Sequence, residues 1–158
     1  MELLGAWGYL GIFIGAFLAA TVIPFSSDIL VVASLGLGGS IPLTLFFATT
    51  GNWLGGMVSY GMGYLGKWEW IEKWFKVSPE KLAKQQAKVQ KYGSWLALVT
   101  WLPIVGDVFA IALGFYRVNV YSTALFMLVG KTLRFVGLAI IFFYFWDKLG
   151  WMFMASGG

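Results

Sequence analysis

The chain has 158 residues, 59% of them hydrophobic and 11% charged, with a mean hydropathy of +0.79 and a net charge of +4. A water-soluble domain carries about 25% charged residues, so the composition excludes an ordinary soluble fold and points to one all-α, multi-pass membrane domain over residues 1–158. Cys and His are both absent, which removes disulfides and the usual ligands and bases of zinc, haem and Cys–His or Ser–His chemistry; no metal or cofactor is expected, and no nucleophile–base set marks an enzyme.

In chain order, no charge lies between Glu2 and Asp28, or between Asp28 and Lys67. The second gap far exceeds the roughly 20 residues that a spanning helix needs. The first 25 residues carry no basic patch, so a cleaved leader is not expected. Gly5 to Ile23 is apolar. Pro24-Phe25-Ser26-Ser27-Asp28 interrupts it, and Ile29 to Leu37 is apolar again. Proline removes a backbone donor and clashes with the preceding turn. Neither flanking piece is a comfortable full span, so the pattern predicts a re-entrant hairpin with Pro24, Ser26 and Ser27 at its tip. Such backbone survives at depth only where protein or a wet cavity covers it. After Gly38-Gly39-Ser40, Ile41 to Leu65 is long enough to cross. Asn52, Gly56, Ser59 and Gly63 fall on one face of it, and close helix packing is the simplest reading of that stripe.

Lys67 to Lys91 holds seven Lys and three Glu. Trp68, Ile71, Trp74 and Phe75 recur at helical spacing among the charges, as in an amphipathic interfacial helix. Ser78-Pro79-Glu80 reads as a second helix start, running to about Lys91. Whether this segment is a connector or has a function of its own is open. By the positive-inside tendency its lysines put it on the cytoplasmic side and both termini outside. Such a segment meets anionic lipid more readily than nucleic acid.

A shift of 79 residues superposes Pro24 on Pro103, Asp28 on Asp107, Ala33 on Ala112, Thr44 on Thr123, Phe47 on Phe126, Gly51 on Gly130 and Leu54 on Leu133, without a gap. The shift predicts a second hairpin from about Ser94 to Tyr116, with Pro103 and Gly106 at its tip. A crossing helix from about Asn119 to Trp146 and a short tail, 147–158, follow. A hairpin plus one crossing moves the chain to the other side of the membrane. The two copies, about 5–65 and 93–146, are therefore expected to be inverted, as in many secondary transporters.

Asp28, Asp107, Lys131 and Arg134 lie in apolar stretches. Each would cost about 2.5–3.5 kcal/mol at the bilayer centre on the insertion scale, so they are expected to face one another or a hydrated cavity. The two carboxylates could bind and release protons, or only cap returning half-helices. Lys131 and Arg134, three apart on one helix face, could attract a lipid phosphate or only neutralise the acids. Asn52 aligns with Lys131 and is expected to line the same cavity.

Pro24-x-x-x-Asp28, Gly51-Asn52-x-x-Gly55-Gly56, Trp101-x-Pro103-x-Val105-Gly106-Asp107 and Gly130-Lys131-x-x-Arg134-Phe135 together resemble the DedA family. These proteins share a VTT (SNARE-associated Golgi protein) domain, and the likeness is to the short YqaA-like branch. The resemblance implies two opposed re-entrant hairpins. It also implies a flippase- or scramblase-like activity on a phospholipid or polyprenyl phosphate, coupled to protons through membrane-embedded acids and bases. Two features depart from the family pattern. Ser26-Ser27-Asp28 stands where Pro-Gly-Asp or Pro-Gly-Glu is usual. The basic residues lie in the last crossing helix rather than in the second hairpin. A proton-coupled small-ion or osmolyte transporter and a purely structural membrane protein are the rival readings.

Overall fold

The computed structural model describes residues 5–21, 27–66, 69, 73, 78–102 and 105–156. The elements, in order, are α1 (Gly5–Thr21), α2 (Ser27–Gly36), α3 (Ile41–Leu65), α4 (Pro79–Tyr92), a 3₁₀ helix (Gly93–Val99), α5 (Val105–Phe115) and α6 (Val120–Ser156). No strand occurs among the described residues, so the all-α expectation holds. Among the described residues one helix, α6, is long and apolar enough to cross a membrane. The Trp68, Ile71, Trp74 and Phe75 stripe lies outside the described residues, as do Pro24, Ser26 and Pro103 at the expected hairpin tips.

Local chemistry sets the boundaries. α3 starts after Ser40 in extended conformation, with Pro42 in its first turn, where a missing N–H costs nothing. It ends at Gly66, whose φ of 64° suits the left-handed cap that glycine adopts without penalty. α4 begins as expected. The Ser78 hydroxyl accepts from the Lys81 amide at 3.3 Å, Pro79 opens the helix, and Glu80 sits at its positive end. One boundary differs from expectation. α6 runs ten residues past Trp146, to Ser156, so most of the segment read as a tail extends the helix. Nothing in 147–156 stops a helix, since Asp147, Lys148 and Gly150 are tolerated within one.

The turns α2–α3 and α5–α6 match bond for bond at a separation of 79 residues. In the first, Leu37, Gly38, Gly39 and Thr44 donate their amides to Ala33, Leu35, Ser34 and Ser40. In the second, Tyr116, Arg117, Val118 and Thr123 donate to Ala112, Gly114, Leu113 and Asn119. Gly38 and Arg117 hold the same place in the two turns, both with positive φ (81° and 52°). An arginine is strained there by roughly 1–2 kcal/mol. Its guanidinium lies 4.7 Å from the Tyr64 ring centre, a cation–π contact that offsets part of that strain.

α3 and α6 form the centre of the bundle and run antiparallel. Asn52 meets Lys131, Gly56 meets Met127, and Tyr60 donates to the Val118 carbonyl, so partners rise on one helix as they fall on the other. Two cores flank this pair. One gathers Tyr9, Ile12, Val31, Leu35, Ala48, Phe135 and Ala139 from α1, α2, the start of α3 and the middle of α6. The other gathers Tyr60, Leu96, Phe109, Ile111, Leu113 and Met127 from the end of α3, the 3₁₀ helix, α5 and the start of α6.

Small residues let the backbones close in. A Cβ at Gly51 would strike the Phe13 carbonyl oxygen, and one at Gly130 the Leu98 carbonyl oxygen. Gly63 and Gly114 form a mutual crossing, abutting the carbonyls of Ile111 and Tyr60. Asn52, Gly56, Ser59 and Gly63, the stripe on α3, are all buried, and close helix packing accounts for most of it.

Candidate functional site: a charge cluster beside an apolar groove

α6 carries Lys131 and Arg134 on one face, and each cation has its own set of partners. Lys131 is 3% exposed. Its ammonium donates to the Asn52 side-chain oxygen at 2.6 Å and to the Asn52 carbonyl at 3.0 Å. Gly56 provides the space: a Cβ there would lie 3.1 Å from the Lys131 Nζ. The Asn52 amide group donates in turn to the Ala16 carbonyl at 3.1 Å, which fixes which way the amide faces. This buried chain links α6, α3 and α1. A buried ammonium needs such acceptors, because burying it unpartnered would cost far more than the hydrogen bonds return.

Arg134 joins α6 to α2 and to the segment after the 3₁₀ helix. Its Nη2 forms a 2.7 Å ion pair with Asp28 Oδ2 in the first turn of α2. Its Nη1 donates at 2.9 Å to the carbonyl of Trp101, just beyond the 3₁₀ helix. The planar guanidinium suits this double engagement, since its donors are fixed in a fork. Asp107 occupies the first turn of α5, half-buried, within electrostatic reach of both Lys131 and Arg134. The four embedded charges therefore converge on one stretch of α6.

A groove of about 620 Å³ opens beside the Arg134–Asp28 pair. Leu98, Val99 and Trp101 line one wall, and Leu133, Leu138 and Ile141 of α6 line the other, with Gly130 and Gly137 in between. Asp28 and Arg134 are the charged groups in a lining that is otherwise apolar.

Of the residues singled out in the sequence, Asp28, Asp107, Asn52, Lys131 and Arg134 come together. Ser27 is buried at the start of α2, and Gly106 lies against the Thr100 carbonyl. Sequence reasoning missed the Trp101 carbonyl and the glycine floor of the groove. A backbone acceptor leaves no mark in side-chain chemistry, although Gly130 and Gly137 are spaced seven apart on the helix face that carries the charges.

The fold and this cluster define a helical membrane protein with ionisable groups held inside its bundle. Over 129 residues the chain is 32% identical to the inner membrane protein YqaA of Escherichia coli, a match that covers 81% of this chain and 86% of that protein. The YqaA protein of Shigella flexneri matches to the same extent. An uncharacterized protein of Haemophilus influenzae is 35% identical over 139 residues, 82% of this chain and 83% of that one. The chain belongs to the DedA family, in its YqaA-like branch. The relatives' names support a place in the bacterial inner membrane. No family model matches the chain, and no solved structure does.

Proposed function

We propose that the chain is a lipid translocase built from two inverted copies of a re-entrant hairpin plus a crossing helix. The repeat is supported by the turns that match 79 residues apart and by the antiparallel run of α3 and α6. It is also supported by Lys131 grasping Asn52, its own equivalent under that shift.

The observation that carries the function is the groove. A phosphate-bearing head group fits against Arg134, and its acyl or prenyl chain lies along Leu138 and Ile141. Arg134 can grip a phosphate bidentately once Asp28 lets go. Asp28, having lost its counter-charge, then takes up a proton, so the site keeps its net charge as the anion enters. When the lipid leaves, Arg134 returns to Asp28 and the proton is released. Asp107 serves the same exchange from α5. Lys131, held by Asn52, supplies fixed positive charge rather than a moving hand. The hydrocarbon tail stays in the bilayer while the head group crosses.

To test this, the purified protein is reconstituted in liposomes and a labelled anionic lipid is followed between leaflets. Arg134→Gln removes a charge-assisted contact of about 1.5–3 kcal/mol, so transfer is expected to slow by at least ~10-fold while the protein remains folded. Asp28→Asn is expected to weaken the response to an imposed pH gradient, and Asp28→Asn combined with Asp107→Asn to abolish it. Lipid movement at the wild-type rate in Arg134→Gln, Asp28→Asn, Asp107→Asn and Lys131→Ala alike would sink the proposal. Ion flux without lipid movement would favour a small-ion transporter.

A further inference from the structure

α4 has no part in the charge cluster, yet its outer surface is organised. Lys81, Lys84, Lys88 and Lys91 are all exposed. At 100° per residue they fall within an arc of roughly 80°. Glu80 is the one acid in the helix. Val89, 5% exposed, anchors α4 to the core. The Lys88 ammonium lies 5.6 Å from the Phe109 ring centre, a cation–π contact that ties this end of the row to α5.

Two exposed aromatic residues with polar tips follow at once: Tyr92 (48%) and Trp95 (63%). Trp95 is fixed by stacking on Phe126 at 4.7 Å. Such rings mark the level of lipid head groups. A lysine row meeting an aromatic girdle suits a charged lipid surface better than a nucleic acid or an acidic protein, which would leave the girdle unused.

We propose that the lysine face of α4 docks on the anionic head groups of the leaflet it borders and so tethers the groove wall to that leaflet. α4 packs on α5 and on the 3₁₀ helix, and the latter supplies Leu98 and Val99 to the groove. Surface charge of the membrane is thereby transmitted to the element that shapes the cavity. The inference requires only that the chain sits in a bilayer, whatever it transports.

The chain has no cysteine, so Ala87→Cys, exposed beside the lysine arc, gives a unique labelling site. The full-length labelled protein is placed in phosphatidylcholine vesicles with or without about one-third phosphatidylglycerol, plus a trace of head-group nitroxide lipid. Fluorescence quenching should be stronger with phosphatidylglycerol. It should fade in about 1 M salt, where the screening length falls to about 3 Å. Each single Lys→Gln change should lower the docked-to-undocked ratio about fivefold, and Lys→Arg should preserve it. Equal quenching in both lipids, or single Lys→Gln variants that all behave as wild type, overturns the proposal. So does a label drawn out by soluble heparin in neutral vesicles but indifferent to phosphatidylglycerol.

Discussion

Asn52 and Lys131 depend on each other so closely that neither can be judged alone. Asn52→Leu leaves the Lys131 ammonium buried with the helix carbonyl as its remaining acceptor, and losing a hydrogen bond to a charged group costs about 1.5–3 kcal/mol. Lys131→Met added to that change removes the stranded charge. The double variant is therefore expected to melt well above Asn52→Leu, close to the wild type, in a detergent thermal-unfolding cycle. Two independent, additive losses would show that the pair is not coupled. At this scale the sequence was informative wherever a residue was expensive. Asp28, Asp107, Lys131 and Arg134 stood out because charge in hydrocarbon demands a partner, and they are indeed gathered. Which acid meets which base was not legible. Asp28 pairs with a residue 106 positions away, and nothing in either local sequence encodes that distance.

Helices were easier to read than the irregular pieces between them. Ile41–Leu65 came out at its expected limits, and α4 began on its expected cap. These boundaries rest on Ser, Pro and Gly acting locally. The segment expected to begin a second hairpin is a 3₁₀ helix that opens at Gly93 with φ 54°. Its winding answers to close packing under α6, where Leu98 presents its carbonyl to Gly130, and tertiary contact of that kind leaves no periodicity to detect. The crossing of α3 with α5 makes the energetic point. Gly114→Ala would drive a methyl into the Tyr60 carbonyl, which is backbone and cannot swing aside, so it is expected to cost about 1–3 kcal/mol or more. Gly61→Ala meets nothing within 4 Å and should be neutral or gain up to about 1 kcal/mol from helix propensity. Thermal melts of the two variants in the same detergent check the order. Equal melting temperatures would mean that the crossing is not tight.

The molecule as a whole is uneven in the lengths of its elements. α2 is preceded by a regular helix of 17 residues, α1, whereas α5 is preceded by a 3₁₀ helix of 7 residues that lines the groove. α6 is 37 residues long against 25 for α3. At 1.5 Å per residue it measures about 55 Å, while the hydrocarbon layer is about 30 Å thick. Leaning alone cannot hide such a rod, because observed tilts end near 40°. Its distal turns, with Trp151 and Met154 largely uncovered, therefore rest among the lipid phosphates or thicken the adjacent leaflet. The protein should consequently act as a gauge of bilayer thickness. Unfolding temperatures measured across phosphatidylcholines of increasing acyl length are expected to rise towards the longer chains, and a profile that is flat, or that peaks in the thinnest bilayers, would show that the distal turns find shelter elsewhere.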